Sequence, residues 1–331
     1  MAVHTQLAPE ELDAVLARWN VGAVRAVTGL AAGSINTSYV VDAAAGRFLA
    51  RLFEGKDAGE VAYEVALVER LAAAGVAVVA PLRSRDGAAW IPLRGRCLSL
   101  FPWIEGEELP VEGPELAGPL RARALGGALA ALHRAAEGFA LHRAGAYSLE
   151  QMAGRLPALR AAAPGDAAVA AALPDLESEH AFLAAALPAC ALPEGTIHGD
   201  LFPDNVKWRG TEVAALLDFD MAQDGPWMRD LATTLVSWCF DAAGAFVWAD
   251  MAAMAAGYAA VRPLAPAERA PGLWLWSRFV AWRYTVSRLT DFHLSPLPPE
   301  RLVRKDFRRY LARLRALRAI DAEELARRLA L

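Results

Sequence analysis

At 331 residues, with 55% apolar residues and a positive mean hydropathy, the chain can fill two lobes with substantial cores, which excludes a disordered protein. No apolar run reaches the roughly 20 residues of a membrane span, and a net charge of −4 argues against general nucleic-acid binding. Three widely separated cysteines, Cys97, Cys190 and Cys239, fit neither a disulfide framework nor a zinc site.

The opening MAVHTQLAPEELD has no basic region followed by an apolar stretch, so a cytoplasmic location is expected. Leu7, Leu12, Val15, Leu16 and Trp19 recur at helical spacing, and Asn20-Val21-Gly22 ends that run. Residues 37–41 and 47–53 read as a hairpin turning through 42–46, and 60–74 as a helix stopped by Gly75. Segments 76–82, 89–92 and 97–101 read as further strands. From about Glu105 helical patterns dominate: 116–136, 149–163, 167–173, 175–187, 231–240, 246–258, 273–292 and 301–329. The Ala-rich stretch 157–192 is helix-favouring composition rather than a repeat. The expected boundary lies at 103–106, giving a nucleotide lobe over 1–104 and a catalytic and substrate lobe over 105–331.

The chemistry is concentrated in 196–220, TIHGDLFPDNVKWRGTEVAALLDFD. His198-x-Asp200 is followed by Asn205, and an apolar run from Val213 ends in Asp218-Phe219-Asp220. This order matches the kinase pattern H-x-D-x-x-x-x-N followed by a strand that delivers a metal-binding aspartate. Phosphoryl transfer needs a carboxylate to orient and deprotonate the hydroxyl, a role suited to Asp200. It also needs oxygen ligands for Mg²⁺, suited to Asn205 and Asp218. Each of these residues alone reads as an ordinary turn former; the ordered set points to catalysis.

The stretch resembles the aminoglycoside phosphotransferase and choline kinase family of small-molecule kinases. Within that family, IHGDLFPDNV and SWCF (237–240) resemble the type II homoserine kinases, a resemblance that covers most of the chain. It implies an α+β, bilobal protein-kinase-like fold with a small β-rich nucleotide lobe and a larger, mainly helical catalytic lobe. It implies ATP and Mg²⁺ as cofactors and a small-molecule amino-acid substrate, L-homoserine, on the route to threonine. No nucleic-acid or membrane partner is expected. Choline, an aminoglycoside or another amino alcohol stands as an alternative acceptor. A non-catalytic nucleotide-binding scaffold stands as a rival of another class, against which the intact Asp200, Asn205 and Asp218 count.

Residue by residue, the resemblance marks Gly33, Ser34 and Asn36 as a phosphate-facing loop, which composition alone leaves equally an ordinary loop. Arg51 takes the strand position where protein kinases carry a phosphate-pairing lysine, with Glu64, or else Glu60, as its partner. Pro102 C=O and Ile104 N–H occupy the adenine-binding hinge. His198 and Asp230 support the catalytic loop, and His133 reads as a buried, satisfied histidine. Six tryptophans of the second lobe (227, 238, 248, 274, 276 and 282) read as core or as an aromatic cage. Arg278, Arg283 and Arg288, five residues apart, turn by roughly 140° per step and cannot share one helix face. Arg283 and Arg288 are nominated for the acceptor carboxylate, beside the reading that they are surface or structural. The basic run 301–318 reads as a solvated amphipathic helix.

Overall fold

The computed structural model describes residues 5–30, 36–110, 118–296 and 305–331. It divides into two compact units, Met1–Gly106 and Glu107–Leu331.

The first unit is a five-stranded antiparallel sheet in the order β1 (Val24–Gly29), β2 (Thr37–Ala43), β3 (Gly46–Phe53), β5 (Arg96–Pro102), β4 (Ile91–Leu93). Alternation along β3 sends successive side chains to opposite faces. Phe48, Ala50 and Leu52 join Leu12, Leu16 and Trp19 around helix α1 (Pro9–Leu16). Phe53 instead packs on Val61 and Val65 of helix α2 (Ala58–Ala73). Asp57 and Glu60 form a capping box that starts α2, which uses Glu60 for architecture. Strand β1 was not expected; it is a half-exposed edge strand, which weakens its apolar pattern. Residues 76–82, expected as a strand, run irregularly: Pro81 has no N–H for a ladder, and the segment meets β5 through Leu82 N–H on Leu100 O at 2.7 Å.

The second unit is mainly helical, as expected, with two short antiparallel strand pairs. Helices α3 (Gly118–Ala136), α4 (Leu149–Ala153), α5 (Leu156–Ala162) and α6 (Ala167–Ala186) precede the strands. Strands β6 (Glu194–Ile197) and β9 (Gln223–Pro226) pair, as do β7 (Val206–Arg209) and β8 (Glu212–Leu216). Helices α7 (Trp227–Trp238), α8 (Trp248–Val261), α9 (Leu273–Arg288), α10 (Arg308–Arg318) and α11 (Ala322–Leu329) follow. Helix α9 is buried along most of its length and packs against α6, α7 and α10. Helices α3 and α8 meet through glycines: a Cβ on Gly126 would lie 2.0 Å from Met254 O, and one on Gly257 2.0 Å from Arg123 O.

Several expected boundaries shift for identifiable reasons. The break expected at Pro174 is absent, because α6 is anchored on both sides of the proline: Val169, Ala172, Leu176 and Leu183 are buried. The expected helix 149–163 divides into α4 and α5 around Gly154 and Pro157. The expected helix 301–329 divides at Asp321, whose side chain accepts from Glu324 N–H at 2.7 Å and starts α11; its first four residues lie outside the described ones. Nor is the basic run simply solvated, since Arg313 is buried and donates to Val236 O at 2.7 Å. Among the described residues no helix is long and apolar enough to cross a membrane.

Candidate active site

The site is built at the end of β6, where the chain turns through His198-Gly199-Asp200. Gly199 has φ 80°, and a Cβ there would lie 2.5 Å from Met221 O, so only glycine lets the loop approach the 219–221 turn. Asp230, buried near the start of α7, accepts from His198 N–H at 2.7 Å and Gly199 N–H at 2.9 Å. His133 of α3 donates to the same carboxylate at 3.0 Å and meets Tyr258 Oη at 2.7 Å. Burial pushes the Asp230 carboxyl up, but hydrogen bonds from His133 and Gly199 and the neighbouring histidines hold it below the ordinary range. Burial pushes the His133 imidazole down, against the pull of Asp230.

His198 sets the spacing between the loop and the next aspartate. Its Nε2–H donates to Leu217 O at 2.9 Å, and its ring lies 4.7 Å from that of Phe219. Asn205 Nδ2 donates to Asp200 O at 2.8 Å, while Leu217 N–H donates to Asn205 O at 2.9 Å. These bonds draw Asp200, Asn205 and Asp218 together within one unit. Asp218 has left-handed backbone angles, φ 61° and ψ 74°, which a non-glycine residue holds only at a steric cost. The two candidate metal ligands offer an amide and a carboxylate oxygen, the donor chemistry of a hard cation. With Asn205 Nδ2 spent on Asp200, its Oδ1 is the atom left for a ligand.

Asp200 also has a partner the sequence did not indicate. Tyr284 Oη donates to Asp200 Oδ1 at 2.8 Å from the middle of α9. Next to it, Arg283 is 5% exposed and lies between two phenol rings, its guanidinium carbon 4.2 Å from the Tyr147 centroid and 3.9 Å from that of Tyr284. Its Nε is buried without a hydrogen-bond partner, and no described carboxylate pairs with it. Arg288, on the Tyr284 side of the helix, covers the Tyr310 ring at 4.4 Å and donates to Asp306 O at 2.9 Å. Arg278 is spent elsewhere, on a two-pronged pair with buried Glu179 at 2.7 and 2.6 Å.

The nucleotide-lobe candidates are described within their own unit. Gly33 and Ser34 lie outside the described residues. Asn36 is buried and its Oδ1 accepts from Glu54 N–H at 3.3 Å. Arg51 projects from β3 with its guanidinium carbon 5.8 Å from the Phe101 centroid, its buried Nε without a hydrogen-bond partner. The expected Arg51–Glu64 pair is replaced: Lys56, just beyond β3, pairs with Glu64 instead, both side chains being at most 10% exposed. Pro102 closes β5 opposite Phe48, and Ile104 lies just beyond, half-buried, where strand pairing has ended.

The tryptophans do not form one aromatic cage. Trp238, Trp274 and Trp282 donate to carbonyls of Leu201, Leu317 and Leu176, in different parts of the unit. The faces of Trp227 and Trp274 are already covered by Arg262 at 4.2 Å and Arg278 at 4.5 Å.

A β-sheet unit followed by a helical unit with this loop is the architecture of protein-kinase-like phosphotransferases, and residues 26–264 match the model of the phosphotransferase enzyme family. The chain belongs to that family and is a phosphotransferase, with an alcohol group as acceptor. Among its relatives, a protein of Methylocella silvestris named homoserine kinase is 37% identical over 98% of this chain and 99% of its own length. A homoserine kinase of Sinorhizobium medicae is 35% identical over 97% of this chain and 95% of its own. In fold, the chain is similar to an aminoglycoside phosphotransferase from Alicyclobacillus acidocaldarius, with TM-score 0.71, 16% identity and coverage of 99% and 98% of the two chains. An amicoumacin kinase solved with AMP-PNP and Ca²⁺ gives TM-score 0.69 at 16% identity, over 96% of this chain and all of that one.

Proposed function

We propose that the enzyme transfers the γ-phosphoryl group of ATP to the hydroxyl of L-homoserine, giving O-phospho-L-homoserine and ADP, a step towards threonine. The observation that carries the acceptor is Arg283, a buried guanidinium without a carboxylate partner among the described residues, one residue from the tyrosine that holds Asp200. A buried unpaired cation is unfavourable until an anion arrives, and a guanidinium receives a carboxylate through two parallel bonds. A hydroxy amino acid spans roughly 5 Å from hydroxyl to carboxylate, which suits two groups that flank the single Tyr284 ring. Full-length relatives named homoserine kinase support the same acceptor.

In this reading Asp200 takes the hydroxyl proton on Oδ2, while Tyr284 occupies Oδ1 and fixes the carboxylate plane. The bond from the acceptor oxygen to the γ-phosphorus forms as that from phosphorus to the leaving ADP oxygen breaks. Asn205 and Asp218 are the residues that would hold Mg²⁺, which when bound offsets the charge of the nucleotide phosphates. In this reading residues 1–104 are the nucleotide lobe, with Gly33, Ser34, Asn36 and Arg51 assigned to the phosphates and Pro102 and Ile104 to the adenine. Residues 105–331 form the catalytic lobe, with Arg288 second to Arg283 for the acceptor carboxylate. A cytoplasmic enzyme fits this chemistry.

Choline as acceptor would need open aromatic faces, and those of Trp227 and Trp274 are covered by arginines. ADP release measured with L-homoserine, L-serine, choline and kanamycin tests the assignment. L-homoserine should give the highest kcat/KM, and a preference for choline or kanamycin would overturn it.

A further inference from the structure

At the end of β6 remote from Asp200, the helical unit holds a cavity of about 720 Å³. Its walls include Leu149, Leu187, Leu192, Pro226, Trp276 and Phe279, with Arg229 among them. Trp276 and Phe279 precede Tyr284 on α9 by five to eight residues, roughly 8–12 Å along the helix axis. An acceptor of about 5 Å that touches Asp200 does not extend into this space.

Arg229 is the unexplained feature of the cavity. It is 7% exposed, donates to Ala146 O at 2.8 Å and lies 5.7 Å from the Phe279 centroid. Among the described residues no carboxylate stands within ion-pair distance of it; Glu194, which also lines the cavity, is exposed. Burial, reinforced by the charge of nearby Arg283, pushes the Arg229 guanidinium down to about 10. Trp276 stacks edge-on against Phe279, with ring centroids 5.1 Å apart, and the pair forms the aromatic part of the wall. One buried cation with a carbonyl on one edge suits a singly charged, planar anion better than a phosphate, which needs more donors. The remaining walls are apolar and aromatic, the usual lining of a small-molecule pocket.

We propose that this cavity is a second ligand site, for a small organic carboxylate that faces Arg229 with its charge and Trp276 and Phe279 with an apolar body. Because Arg229 and Arg283 are electrostatically coupled, an anion on one weakens the attraction of the other for a second anion. That coupling rests on the acceptor role given above to Arg283; the site itself does not.

Calorimetry on the full chain with 3-phenylpropionate, and with 3-phenylpropanol as its uncharged counterpart, tests the site without any turnover. The acid should bind and the alcohol should bind at least tenfold more weakly. Arg229→Gln should remove the preference for the acid, and Cys190→Trp, which fills the cavity from a partly exposed wall, should abolish binding, with thermal unfolding used to verify that each variant folds. Equal binding of acid and alcohol by the wild type, no binding of either, or undiminished binding in folded variants would overturn the site. Saturating 3-phenylpropionate should raise KM for L-homoserine several-fold and spare 3-amino-1-propanol. Binding with no change in that KM would overturn the coupling and leave the site standing.

Discussion

The phenol of Tyr284 is bonded to Asp200 at 2.8 Å from a helix residue 84 positions away in the chain. Desolvation holds the Tyr284 hydroxyl well above its ordinary pKa, with the negative charge of Asp200 acting in the same sense, so the phenol stays a donor throughout the working pH range. Its ring is in turn held by Tyr310 at 4.9 Å and Phe202 at 5.2 Å between centroids. Asp200 is thereby kept in one orientation. The variant Tyr284→Phe keeps this packing and removes the bond alone. A hydrogen bond to a charged group is worth about 1.5–3 kcal/mol, so kcat should fall on the order of 10–100-fold with KM for ATP nearly unchanged. Steady-state kinetics with both substrates varied checks this; an unaltered kcat would show that Asp200 is oriented by other means.

Asp218 is held in left-handed backbone beside Asn205, and its assigned role is to take Mg²⁺ with the nucleotide. Replacing it by alanine should abolish turnover of Mg·ATP and weaken metal binding, while the melting temperature changes little because Asp218 is half-buried. Mn²⁺ titration followed by electron paramagnetic resonance, in the presence of a non-hydrolysable ATP analogue, reads the metal directly. Wild-type Mn²⁺ affinity in the variant would remove Asp218 from the metal site.

The two candidate acceptor arginines make different predictions. Arg283 has no carboxylate partner among the described residues, whereas Arg288 already serves Asp306 O and covers Tyr310. Arg283→Ala should therefore raise KM for L-homoserine by roughly 10–100-fold and spare 3-amino-1-propanol, which lacks the carboxylate. Arg288→Ala should act mainly on the melting temperature. If Arg288→Ala produced the selective KM effect and Arg283→Ala did not, the two roles would be exchanged.

Acid should loosen the enzyme near the pKa of an ordinary histidine. Burial depresses the folded-state pKa of His133 below its usual 6.5. Its contribution to stability is therefore complete above pH about 6.5 and lost as pH falls towards the folded value, because the unfolded chain takes up the proton first. Asp230 adds the same sign at lower pH, its folded pKa lying below the ordinary carboxylate value. Urea midpoints measured from pH 8 to pH 5 should decline, and His133→Asn should flatten the upper part of that slope. A slope unchanged in the variant would assign the decline to other groups.

That the 198–218 stretch folds back on itself was legible in the sequence, because its residues lie close together in the chain. His198, Asp200, Asn205 and Asp218 fall within one short stretch, and the bonds that join its parts span 5 residues from Asn205 to Asp200 and 19 from His198 to Leu217. Tyr284 was not legible, since it reaches Asp200 through tertiary packing of α9, a helix buried along most of its length, where no period distinguishes one face. Helix boundaries went astray where a local signal competed with burial. Pro174 suggested a break that the packed faces on either side override, and Asp321 opened a helix inside a run that periodicity alone reads as continuous. The Lys56–Glu64 pair lay hidden for a related reason, the lysine sitting past the strand end where the kinase pattern does not look.

The carboxylate of Asp230 gathers three hydrogen bonds at the root of the loop. It binds the backbone amides of His198 and Gly199 and, through His133, ties them to α3, a helix some sixty residues earlier in the chain. These amides are fully buried at a junction of α3, α7 and β6, so water reaches them only when that junction comes apart. The 198–200 turn is then expected to open only together with the helices that bury it. Deuterium should enter the Gly199 amide as slowly as it enters the core of α7, and a chain that loses its active loop should be found to have lost its helical core as well.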